Sequence, residues 1–111
     1  MSAETKLISH TFVDFSSEAE MEIYLAFFEE KGPAFFEKLH KCGLNRWRVS
    51  RVWNKEGKFS VSLLYEYQDE KAFQRCRALN DKFVEDNAEF YRKVTLKRNS
   101  YRTINILDFG P

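Results

Sequence analysis

Cysteine, glycine and proline are sparse in this chain of 111 residues, at two, four and two copies. The two cysteines form no CxxC pair, and only His40 stands near Cys42, so metal-ligand spacing is lacking. Cys42 and Cys76 are expected to be ordinary buried thiols. A Cys42 nucleophile activated by His40 is disfavoured, because residues on a helix meet neighbours three or four positions away, not two. Repeats and low-complexity stretches are missing, and the length fits one compact domain over 1–111, with residues 1–5 expected outside its ordered part. No apolar run approaches the roughly 20 residues a bilayer crossing needs. The start, Met1 to Lys6, has no basic segment leading into a long apolar one, as a secretory signal would. The expectation is a soluble, cytoplasmic protein. Charge of one sign is also lacking: 18 Lys+Arg face 17 Asp+Glu, a net charge of +1. That balance argues against nucleic acid and anionic membrane as partners.

What the chain does have is aromatic bulk. Two Trp, five Tyr and eleven Phe make up 16% of its residues, and each buries roughly 150–250 Å² when enclosed. Leu7 to Phe15, rich in β-branched and aromatic types, predicts a first strand. Ser17, followed three positions later by Glu20, has the form of a capping box opening a helix. Tyr24, Phe27, Phe28, Phe35 and Leu39 form its inward stripe. Gly32-Pro33 predicts a kink or a break within it, and Lys41-Cys42-Gly43 its end. Leu44 to Trp53 and Phe59 to Tyr67 predict a hairpin across Asn54-Lys55-Glu56-Gly57-Lys58. Asp69 is a fitting N-cap for a long second helix reaching Val94, about six turns. Beyond Thr95 the chain has β character, with Lys97-Arg98-Asn99-Ser100 expected to divide two short strands.

The order β-α-β-β-α-β predicts an α+β, ferredoxin-like antiparallel sheet with both helices on one face. The other face needs a ligand, a nucleic acid or a second subunit to cover it. The element order, the interrupted first helix, the long second helix and the strand-like tail resemble the dimeric α/β-barrel superfamily, in which two such subunits pack sheet against sheet. That resemblance spans nearly the whole chain. It takes in cofactor-independent antibiotic-biosynthesis monooxygenases, haem-degrading monooxygenases, muconolactone isomerases, NIPSNAP-type proteins and stress-responsive barrels. It implies a homodimer and a small hydrophobic ligand between sheet and helices, without choosing the reaction. Some relatives ligate haem through a helical histidine. The second helix here has none, and no bound cofactor or metal is expected. An RNA-binding sheet is disfavoured because Gly57 to Tyr65 departs from the basic-Gly-aromatic pattern of such modules.

Several residues are candidates for chemistry. His10, in the strand set Ile8, His10, Phe12 and Asp14, is the most plausible titratable group, as a general base toward a phenol-like or carbon acid. Its alternative is a partly buried, hydrogen-bonded strand residue. Arg48, on one side of its strand with Arg46 and Ser50, could hold an anionic or enolate oxygen. Glu66 could either join this site with Ser60 and Ser62 or pair across strands with Arg48. Phe27, Trp47, Tyr65 and Tyr67 would suit an aromatic ligand, with core packing as the competing role. Lys97, Arg98 and Arg102 are expected at a solvated turn and strand edge. The two functional classes are a small-molecule-binding homodimer, with monooxygenase- or isomerase-like chemistry on an aromatic or polyketide-like compound, and a non-catalytic dimeric module.

Overall fold

The computed structural model describes residues 4–54 and 57–111; Met1 to Ala3 and, in the hairpin loop, Lys55 and Glu56 lie outside the described residues. The elements are β1 (Leu7–Phe15), α1 (Glu18–Lys41), β2 (Leu44–Arg51), β3 (Phe59–Tyr67), α2 (Glu70–Asp86), α3 (Ala88–Arg92) and β4 (Leu96–Ile104). The strands form one sheet in the order β2-β3-β1-β4, every neighbouring pair antiparallel. This is the ferredoxin-like α+β fold that the element order predicts.

Because side chains alternate along a strand, the register assigns each residue to a face. Leu7, Ser9, Val13 and Phe15 of β1 are buried, as are Val61, Leu63 and Tyr67 of β3. Helices α1 and α2 pack on this side. Two apolar clusters lie between the layers. One gathers Leu7, Phe35, Leu39, Leu44, Tyr67, Ala72 and Cys76; the other Val13, Phe15, Met21, Tyr24, Val61 and Leu63.

Helix α1 starts where Ser17 accepts a hydrogen bond from the Glu20 amide at 3.2 Å. It then runs 24 residues, with Pro33 inside it rather than at a break. Pro33 lacks an amide proton, which costs a helix about 3 kcal/mol. Burying Phe35 and Leu39 beyond it returns roughly 1.5–3 kcal/mol each, so an uninterrupted helix is the better solution. Gly32 faces β2, where a β-carbon would meet the Trp47 ring at an ordinary contact distance of 3.8 Å.

The second helix does divide. Asn87 takes φ −115° and ψ 28°, its Nδ2–H donates to the Phe83 carbonyl at 2.8 Å, and its backbone amide approaches the same oxygen at 3.1 Å. A side chain competing for a helical carbonyl ends the helix there, and α3 restarts at Ala88. Strand β2 stops at Arg51, short of Trp53. Strand β4 is one strand through Lys97-Arg98-Asn99-Ser100, pairing with β1 from Leu96↔Phe15 to Ile104↔Leu7. It is a sheet edge, where polar side chains are tolerated on both faces. Thr5 is not loose: it bonds Glu66, Asn45 and Asn105.

Gly43 ends α1 with φ +109°, and a β-carbon there would lie 2.4 Å from Ala72 Cβ. Gly43→Ala combines left-handed strain with overpacking, and a loss of about 2–4 kcal/mol in urea unfolding is expected. Gly57, at φ +73° with open space around it, is the control. Gly57→Ala should cost only the backbone term of about 1–2 kcal/mol, and equal losses at both positions would contradict the packing at Gly43.

Candidate functional site

A cleft of about 310 Å³ opens between the inner face of the sheet and the helices. Its floor follows from the register. Arg102, Ser9 and Tyr65 form one row across β4, β1 and β3, and Ser100, Thr11 and Leu63 form the next. Phe83 and Asn80 of α2 wall it from above, and the break at Asn87 lets α3 turn Tyr91 into it. The lining is aromatic yet rich in hydrogen-bond donors, with Tyr24, Tyr65, Tyr67, Tyr91, Arg98 and Arg102 all contributing.

These four phenols influence one another. Burial pushes all of them above the ordinary tyrosine range, with Tyr24, Tyr67 and Tyr91 also raising Tyr65 and nearby Arg98 partly opposing the rise. They are therefore neutral O–H donors at any working pH. Asn80 beside Tyr67 and Arg98 beside Tyr91 act as donors toward the phenol oxygens and partly oppose the rise. The guanidiniums are steadied over rings, Arg98 lying 5.6 Å from the Tyr91 centroid and Arg102 4.9 Å from that of Phe73.

The residues expected from sequence to form one site are divided by the sheet. Tyr65 and Tyr67 line the cleft. Trp47 stacks on Tyr65 at 5.7 Å but lines a separate apolar groove of about 510 Å³ between α1 and β2, where its buried indole N–H has no hydrogen-bond partner among the described residues. Phe27 stacks on Phe90 at 3.8 Å, joining α1 to α3. His10, Arg48 and Glu66 point from the uncovered face, away from the cleft. His10 and Arg48 both register with Leu64, so they share a row, whereas Glu66 registers with Arg46 and not with Arg48. His10 stacks on Phe12 at 5.7 Å. His40 Nδ1–H donates to the Leu44 carbonyl at 2.8 Å and does not serve Cys42. Cys76 is fully buried, and burial, aided by Cys42, pushes its thiol up to about 11; Cys42 is only half-buried. Arg98 and Arg102 are exposed on the edge strand, as expected, and from there they also line the cleft. Among the described residues no group of three or more His, Cys, Asp or Glu side chains could hold a metal, and no helix is long and apolar enough to cross a membrane.

The family profile of a domain of unknown function, DUF6974, matches residues 4–104. The chain belongs to that family. No curated protein matches this DUF6974 chain. Among solved structures, a dimeric ferredoxin-like protein from an uncultured marine organism superposes with a TM-score of 0.89 at 29% identity, over 96% of this chain and 100% of that one. A monooxygenase from the gene ActVA-Orf6 of Streptomyces coelicolor, in complex with Nanaomycin D, gives 0.69 at 7% identity over 96% and 93%. SnoaB, a cofactor-independent oxygenase from Streptomyces nogalater, gives 0.54 at 19% identity over 86% and 91%. The last two show likeness of fold alone, and the fold is that of the dimeric α/β-barrel superfamily.

The raised phenols have a stability consequence. A group whose folded pKa exceeds its unfolded value stabilises the fold in full below the unfolded value, and that stability is lost as pH rises. Tyr24, Tyr65 and Tyr67 stay protonated while their unfolded counterparts ionise near 10.0. Unfolding free energy measured against pH should therefore fall above that value, and Tyr65→Phe should make the fall shallower. A profile that stays level through the tyrosine range would contradict the burial of these hydroxyls.

Proposed function

We propose that this DUF6974 protein is a homodimer that binds a small, flat aromatic or polyketide-like molecule in the cleft between sheet and helices. The carrying observation is the meeting of Tyr24, Tyr65, Tyr67 and Tyr91 with Arg98 and Arg102 around one partly enclosed space. A core that needed only filling would present Phe and Leu there, and buried hydroxyls are stabilising only with partners. Rings supply the apolar walls and convergent donors fix orientation, the usual make-up of a small-molecule site. The second copy covers the outer sheet face, where no helix packs and where Phe12 and Tyr101 are 39% and 62% exposed. The dimeric relative of the same fold supports this arrangement.

The finer form of the reading is oxygenase- or isomerase-like chemistry without a bound cofactor, which likeness of fold to the two Streptomyces oxygenases supports by analogy. His10 and Arg48 then belong to the face that meets the second copy, and the sheet separates them from a cleft ligand. One observation favours a non-catalytic dimeric module instead: the cleft contains no histidine, and its lining carboxylate is Asp81.

Thermal-shift screening with aromatic hydroxyketones and hydroxyquinones, followed by calorimetry, tests the reading, since a ligand at 100-fold its Kd adds about 2.7 kcal/mol to stability. A hit should bind wild type and His10→Ala alike and should fail with Ser100→Trp, which fills the cleft from the edge strand. Binding lost in His10→Ala but kept in Ser100→Trp would move the site to the outer face, and no ligand at all would leave the module. Light scattering should give twice the 13.3 kDa chain mass; a monomer would contradict the dimer.

A further inference from the structure

We propose that the cleft takes its ligand as an organic anion, a planar aromatic carboxylate or acidic enol whose charged oxygen lies against Arg98 and Arg102 on β4. The inference rests on the cleft being the ligand site, and it names the chemical class that the site selects. Positions 98, 100 and 102 alternate on the inward side of the edge strand, as their partners Val13, Thr11 and Ser9 require. They present a guanidinium, a hydroxyl and a second guanidinium to the cleft. Arg77 from α2 adds a third guanidinium, and Asp81 is the one carboxylate in the lining. The ion pairs among the described residues employ Arg51, Lys82 and Arg92 and leave Arg77, Arg98 and Arg102 out, so three guanidiniums face one carboxylate in the lining.

Geometry directs that charge at a ligand. A guanidinium stacked on a ring spends its flat face and keeps its in-plane N–H groups for polar partners, and both β4 arginines lie over rings of the helical wall, Tyr91 and Phe73. The surrounding phenols stay neutral because burial raises them, so each keeps a proton to donate to an anionic oxygen. Thr11 and Ser100 bond each other at 2.9 Å. The cleft thus offers many donors and an excess of positive charge, the complement of a delocalised anion on a ring system. With no histidine in the lining, a weak acid would find no neutral-pH base there. The ligand must already be ionised by its own acidity, which selects carboxylic acids, hydroxyquinones and enolised dicarbonyls over simple phenols and ketones.

Matched probes test this by titration calorimetry: naphthalene carboxylate against its neutral carboxamide, and hydroxynaphthoquinone against its methyl ether. Each acid should bind at least about tenfold more tightly than its neutral mate, and the gap should narrow at high salt. Arg98→Gln and Arg102→Gln, both exposed edge-strand changes checked for unaltered melting, should each weaken the acids about tenfold while leaving the neutral probes within about twofold. Equal binding of acid and neutral mate, indifferent to both arginine variants but abolished by Ser100→Trp, would overturn the anion class and leave the cleft as the site. Acid binding that survives Ser100→Trp would overturn the cleft itself. Absence of binding by both acids would also overturn the inference.

Discussion

Strand β1 lies between β3 and β4 and pairs with both along its whole length, from Leu7 to Phe15. The remaining features hang on this pairing, because a slip of one residue would turn every side chain of the strand to the other face. In the register observed, Leu7, Val13 and Phe15 meet the helices and Ser9 and Thr11 form the only polar positions of β1 beneath the cleft. The same register sets Arg98 and Arg102 inward on β4 and His10 outward on β1.

The two faces therefore carry different chemistry. On the inner face two apolar clusters, one toward each end of α1, hold the layers together, and the cleft with its tyrosines and arginines lies between sheet and helices beside them. Continuous apolar packing there would be more stable, and natural sites commonly give up such stability where a ligand binds. On the outer face His10, Phe12, Leu64 and Tyr101 sit beside Arg46, Arg48 and Glu66. A mixed surface of rings and charges with no helix over it resembles the make-up of a subunit interface more than that of a solvated sheet face.

Much of the architecture was legible in the residues. The bounds of β1 and β3, the caps at Ser17 and Asp69 and the end of α1 at Gly43 follow from alternation, capping chemistry and left-handed backbone, all local effects. The misses have causes that single letters do not show. Pro33 stays helical because both halves of α1 are anchored in separate clusters. Asn87 breaks α2 through competition for one carbonyl, which its letter alone does not announce. The division of the expected site between two faces was readable, since Leu7, Val13 and Phe15 outweigh Ile8, His10 and Asp14 in apolarity. Arg98 and Arg102 were obscured by the consecutive polar run Lys97 to Ser100. Taken in alternate steps, Leu96, Arg98, Ser100, Arg102 and Ile104 share a face, and this carries two of the cleft's three guanidiniums.

The central claim is that the sheet divides the molecule, with the partner on the outer face and the ligand on the inner. Isotope-filtered NMR on a dimer assembled from labelled and unlabelled chains tests it most directly, because only contacts between subunits give signal. The account predicts intersubunit contacts to Phe12, His10, Leu64 and Tyr101 and none to Tyr65, Tyr67 or Tyr91. Intersubunit contacts to those three tyrosines, with the outer face silent, would contradict it.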